Sequence, residues 1–295
     1  MRIKGPIHMI ELDSKVIGIK INRKIEFFYF RNSQMNLFKR YLYVGNWIDL
    51  EYLAKKEKKG MYLAHTISSI YKIEAFGKLD HIVYYDKSNI SSSLTKTLKS
   101  LKNVMFLDFE MTMPNYKSQA KGFKAEIIQA GLVIFDDKGN EIKRYSKYVR
   151  PTLFGKLSKR VLDFLSIDFD IFENTSITYY EFYNDFLKIL EEYNPAIIVY
   201  GNNDSIVLND SYTINGLPSL KNRTRFINIL QLIKSFYDLK NDPGLFKLYN
   251  VYYELDNEQV HDALDDCYKT YLVFKKFLND LETKEFQNKV RESFE

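Results

Sequence analysis

The chain has almost no cysteine: Cys267 is the single one among 295 residues. An internal disulfide is therefore excluded, and a reducing, cytoplasmic location is expected. Cys267 reads as a small buried residue on a helix. Long apolar runs are also missing, so no transmembrane helix and no membrane partner are expected. The first residues lack the charged start and apolar middle of a signal peptide, and no internal repeat is present. What the chain does have is a large apolar fraction, 45%, with 22 Phe and 23 Tyr. That is ample for one large domain or two smaller ones.

Charge is unevenly placed. Residues 1–100 carry 18 Lys+Arg against 9 Asp+Glu, whereas the rest carries 25 against 29. A basic first third beside a mildly acidic remainder suits a protein that attracts a polyanion. Solvated lysine faces would give the same count.

The first third reads as mostly β. Short strands are expected at Ile7 to Leu12, Val16 to Ile21, Ile25 to Phe30, Asn46 to Ala54 and Met61 to Ser68. The run Lys55-Lys-Glu-Lys-Lys-Gly60 reads as a charged hairpin loop or a solvated tip between the last two. Five short strands suit a small barrel. In Phe27-Phe-Tyr-Phe30, Phe28 and Phe30 share one face and Phe27 and Tyr29 the other. One pair faces the barrel core and the other faces out; Phe28 and Phe30, with Arg31, are taken as the substrate-contacting set. Ile90, Leu94, Leu98 and Leu101 recur at helical spacing and mark a connector. The expected division is a basic domain over 1–90, a connector over 91–102, a catalytic domain over 103–282 and a polar tail over 283–295, read as a frayed helix.

Three acidic segments carry the chemistry. Val104 to Leu107 is a buried-strand pattern, so Asp108 and Glu110 beyond it point one way and Phe109 the other. Two neighbouring carboxylates repel unless a cation joins them, and oxygen-only ligands suit Mg²⁺ or Mn²⁺. A second strand, Ala196-Ile-Ile-Val-Tyr200, runs into Gly201-Asn-Asn-Asp204, with Asp204 in a helical first turn. The third segment is His261-Asp-Ala-Leu-Asp-Asp266 before an apolar helical pattern. Asp262 and Asp266 share a helix face. His261 and Asp266 serve one site only if His261 precedes the helix.

These three segments resemble, in order and local spacing, the three exonuclease motifs of the DEDDh family of 3′–5′ exonucleases, nearest the Eri-type and KapD-like branch. The resemblance spans roughly residues 102–280. It implies a ribonuclease-H-like mixed α/β sheet flanked by helices. Separately, the hairpin with Phe27-Phe-Tyr-Phe30 and Arg31 resembles the aromatic-rich strands of OB-fold or cold-shock-like domains, so an OB-like barrel is expected in front. The DEDDh resemblance makes Asp108, Glu110, Asp204 and Asp266 metal ligands for two divalent cations, Mg²⁺ or Mn²⁺, and His261 the general base. Thr112 matches a threonine that helps hold the terminal sugar. The implied reaction is two-metal hydrolysis of phosphodiester bonds from a 3′ end, releasing 5′-mononucleotides. The expected partner is single-stranded nucleic acid, RNA favoured over DNA; relatives also pair as homodimers. Tyr200 replaces a usual tryptophan, Gln129 a glutamate and Asn228 an aspartate, and the segment after Val161 lacks Gly-Ile-Thr. Two alternatives fit the same motifs: a single-strand DNA exonuclease of repair or proofreading, and a non-catalytic nucleic-acid-binding adaptor with a vestigial nuclease fold.

Overall fold

A computed structural model describes residues 1–77, 80–114, 123–153, 155–256 and 261–294. The chain divides into two compact units, Met1–Leu94 and Thr95–Glu295.

The first unit contains β1 (Arg2–Glu11), β2 (Val16–Ile21), β3 (Lys24–Tyr29), α1 (Asn32–Phe38), β4 (Trp47–Lys59), β5 (Tyr62–Phe76) and β6 (His81–Asp86). The order is β3-β2-β1-β4-β5-β6, and a parallel pairing of β3 with β5 closes five strands into a barrel. Asn22 and Arg23, both at positive φ, make the two-residue turn between β2 and β3. Ile7, Ile17, Ile19, Ile48, Leu50, Ile67 and Ile73 fill the interior, and α1 adds Met35 and Phe38. β6, not expected from the sequence, pairs with the last residues of β5.

Two expectations fail here. Lys55 to Lys59 is strand, because the β4–β5 ladder continues to Lys59 opposite Tyr62 and turns at Gly60, φ +61°. Phe28 and Phe30 are 1% and 0% exposed and belong to the barrel core. They are not a surface for bases. β3 presents Phe27 and Tyr29 outward instead, because closing the barrel turned the other face in. Arg31 is half-buried, at the start of α1.

Helix α2 (Lys87–Lys99) runs across the division between the units. The second unit then contains β7 (Val104–Met111), β8 (Ile127–Phe135), β9 (Glu141–Tyr148), α3 (Lys159–Leu165), α4 (Phe169–Thr175), α5 (Tyr179–Tyr193), β10 (Ala196–Val199) and α6 (Asn203–Ile214). It continues with β11 (Arg225–Asn228), α7 (Ile229–Tyr237), α8 (Leu245–Tyr253), α9 (Ala263–Thr283) and α10 (Gln287–Phe294). The sheet order is β11-β10-β7-β8-β9, with β11, β10 and β7 parallel and β7, β8 and β9 antiparallel.

The sheet is covered on both faces, as the run of nine buried residues in β8 requires. Met105, Leu107 and Phe109 face α5 and α6 in one core with Phe182, Phe186, Val207 and Leu208. Phe106 faces α9, against Tyr271 and Phe274 at 5.4 and 5.5 Å. Strand alternation then sends Asp108 and Glu110 to the α9 side. The C-terminal segment is helical, as expected, but packed rather than frayed. Val290 is fully buried, and Arg291 donates to the Tyr237 carbonyl and the Asp238 carboxylate.

Candidate active site

Three elements meet over the end of β7. Asp108 and Glu110 leave the strand toward a cleft of about 280 Å³ lined also by Asp204, His261, Asp266, Phe164, Tyr200 and Asn203. Asp204 sits in the first turn of α6, which follows β10. Its Oδ1 accepts a hydrogen bond from the Phe109 backbone N–H at 3.0 Å, tying α6 to β7. Asp266 sits in the first turn of α9.

The start of α9 is fixed tightly. Asp262 is its N-cap and accepts from the Asp265 N–H. The Gln129 Nε2 of β8 donates to the other Asp262 oxygen at 2.8 Å. Gly131 lies opposite Asp108 in the β7–β8 register and lets the α9 backbone press onto β8. Cys267, fully buried, donates to the Gly131 carbonyl at 3.2 Å. The residue preceding this cap is His261. Its nitrogen, a Glu110 oxygen and an Asp266 oxygen all lie within 4.8 Å of one another. Phe164 of α3, half-exposed, stacks on the His261 ring at 4.5 Å.

The electrostatics are dominated by burial and by neighbouring carboxylates. Burial pushes the Asp108 carboxyl well above the usual range, and Asp204, Asp266 and Glu110 push it further. Burial, then Asp266 and Asp204, raises Glu110 to about 7. Burial raises Asp204 to about 6 against the opposing Phe109 N–H. It also raises Asp266 to about 6 against the opposing charge of Lys269. His261 is moved the other way, lowered by burial and then by Lys269, so its imidazole is neutral and able to accept a proton at pH 7. Four converging carboxylates held above their ordinary range fit divalent cations. Cations would remove the repulsion, and oxygen donors with one imidazole suit hard metals.

All five residues expected at the site are therefore brought together. Thr112 is not among the cleft residues; it is buried and its Oγ1 accepts from the Glu126 N–H, tying β7 to the strand beside it. Phe28, Phe30 and Arg31 belong to the other unit. The sequence reading missed Phe164, Met113 and Asn203 as cleft residues. A signal for Phe164 was available. The α3 pattern buries Val161 and Leu165 and leaves this large ring off the apolar stripe.

Comparison with known proteins agrees with the geometry. Residues 105–274 match the family model RNase_T, described as an exonuclease. The chain is 33% identical over 179 residues to the probable 3′-5′ exonuclease KapD of Bacillus subtilis, covering 59% of this chain and 83% of that one. It is 24% identical over 190 residues to the 3′-5′ exonuclease crn-4 of Caenorhabditis elegans, covering 60% and 63%. Among solved structures, the nuclease domain of 3'hExo, a DEDDh family member bound to rAMP, superposes with a TM-score of 0.51. The match is 21% identical and covers 61% of this chain and 94% of that one. This second likeness is one of fold.

Proposed function

The chain belongs to the RNase_T exonuclease family and is a 3′–5′ exonuclease. On that premise we propose that it degrades single-stranded RNA or short oligoribonucleotides to 5′-mononucleotides, using two Mg²⁺ or Mn²⁺ ions. The observation that carries the reading is that Asp108, Glu110, Asp204, Asp266 and His261 line one cleft, with ligand atoms of Glu110, Asp266 and His261 within 4.8 Å of one another.

A phosphodiester resists attack because it is anionic and its leaving alkoxide is poor. When bound by the four carboxylates, divalent cations supply the positive charge that both the attacking water and the leaving oxygen need. The protein's own groups do the rest. His261, uncharged at neutral pH, takes the proton from the attacking water at an imidazole nitrogen. Phe164 stacks on that ring and restricts its rotation. The Phe109 N–H fixes the Asp204 carboxylate, and the Gln129–Asp262 bond fixes the start of α9. Met113, Leu165 and Phe164 give the cleft an apolar side against which a terminal base can pack.

The barrel supports a nucleic-acid role for the first unit. Its outward face carries Phe27 against Tyr62 at 4.9 Å and Tyr29 beneath the Lys59 ammonium at 4.4 Å. Flat rings beside lysines suit stacked bases and tracked phosphates. RNA is favoured by the Eri-type resemblance of the site motifs and the cold-shock-like resemblance of the Phe27–Phe30 hairpin sequence; among fold neighbours, 3'hExo is bound to a ribonucleotide, rAMP. The test is competition between RNA and DNA strands of one sequence, followed by the double variant Phe27→Ala, Tyr29→Ala. Faster RNA shortening, and a loss of affinity in the variant of similar size at low and high salt, support the reading. Equal or faster DNA shortening overturns the sugar assignment, and unchanged affinity overturns the role of the barrel.

A further inference from the structure

One lysine at the site is not explained by hydrolysis. Lys269 follows Asp266 by three residues on α9 and Asp265 by four, so all three share a helix face. Such pairs are usually solvated. Here the Lys269 side chain is only 12% exposed, and its Nζ lies over the Phe246 ring at 4.9 Å. On one side it pairs closely with Asp265, which is 51% exposed and outside the cleft. On the other it stands 3.6 Å from Oδ1 of Asp266, a cleft residue only 11% exposed. The ammonium is thus shared between an outer carboxylate and an inner one.

We propose that Lys269 is a resident cation that competes with divalent metal for Asp266, so that the site binds metal more weakly than its carboxylates alone would. The inference rests on the reading of these carboxylates as metal ligands. A fixed positive charge this near a ligand oxygen repels an incoming dication and occupies lone-pair directions on the carboxylate. With no metal, the same ammonium compensates Asp266, which otherwise faces Glu110 with no paired cation among the described residues. Asp265 moderates the effect by drawing the ammonium outward. Occupancy of the site then responds to the concentration of free divalent cation.

The test is calorimetric titration of the full chain with Mn²⁺, which reads affinity without turnover. Lys269→Met keeps the unbranched stem over Phe246 and removes the charge; it is expected to tighten Mn²⁺ binding roughly tenfold. Lys269→Gln carries the same expectation should the methionine variant fold poorly. Lys269→Arg keeps the charge and is expected to stay near the wild-type affinity. Asp265→Asn is expected to weaken binding more in the wild-type background than in Lys269→Met, where no ammonium is released toward Asp266. Unchanged or weaker binding in Lys269→Met would overturn the proposal while leaving the metal site standing. An absence of Mn²⁺ binding in the wild type would overturn both.

Discussion

Replacing Gly131 by alanine puts the placement of α9 to a quantitative test. An added Cβ would lie 2.4 Å from the Ala263 carbonyl carbon and 2.5 Å from both its oxygen and the Leu264 nitrogen. All three are backbone atoms of the α9 start, so no side chain can turn aside. Ordinary contact begins at 3.4 Å, and α9 must withdraw by about 1 Å to reach it. Asp266 and the preceding His261 travel with it, while Asp108, directly across the ladder from Gly131, stays with β7. Overpacking of this kind costs about 1–3 kcal/mol of stability. A displacement near 1 Å between reacting groups costs about a hundredfold in rate. The assay is single-turnover shortening of a labelled strand, beside denaturant unfolding of the same samples. Gly244→Ala, with open space beside the position, is the control and should leave the rate unchanged. A folded Gly131→Ala protein with wild-type rate would refute the view that close packing of α9 on β8 sets the site geometry.

Other outcomes follow from the same structure. Without metal, Glu110 at about 7 and Asp204 and Asp266 at about 6 hold protons that the unfolded chain has already lost. Their contribution to stability is therefore full below pH 4 to 4.5 and is lost as pH rises through 6 to 7. Melting temperature in chelator should fall over that window, and added divalent cation should abolish the fall. Glu74 in the barrel behaves oppositely. Although burial acts to raise it, its ion pairs with Lys4, Lys72 and His81 hold it at about 2. Its stabilisation is present above pH 4.5 and lost as pH falls toward 2. Glu74→Gln should cost about 1–2 kcal/mol at pH 7, allowing for the exposure of the partners, and flatten the acid limb of unfolding. Phe164→Ala should slow single-turnover cleavage about tenfold by freeing the His261 ring, with Mn²⁺ affinity unchanged in calorimetry.

The parts of the fold visible in the sequence are those where local pattern and tertiary role coincide. Val104 to Leu107 and Ala196 to Val199 are continuous apolar runs, and both are central strands. Thr178 and Glu181 form the capping box that starts α5, and Asn194 ends it in the left-handed conformation. The site was legible for the same reason: its acids stand at strand ends and helix starts, where backbone geometry fixes their direction. The parts that were not legible depend on distant partners. Alternation pairs Phe28 with Phe30, but only closure of β3 on β5 decides that this pair points inward. β6 and β11 are short and gain their place by docking on β5 and β10. The C-terminal helix looks polar because its hold on the domain is one buried side chain, Val290, and Arg291 bonded to residues some fifty positions earlier. Gln129, read as a departure from the family's glutamate, is a donor to Asp262, a role a carboxylate could not fill unprotonated.

The central claim is that Asp108, Glu110, Asp204, Asp266 and His261 form a metal-dependent site that shortens strands from the 3′ end. The most direct measurement is a time course on a 5′-labelled single strand of RNA, with Mg²⁺, with chelator, and with the Asp108→Ala protein. The account predicts a ladder that steps down from the 3′ end with Mg²⁺, and an intact strand in the other two. Internal cuts, a ladder that survives chelation, or full activity in Asp108→Ala would contradict it.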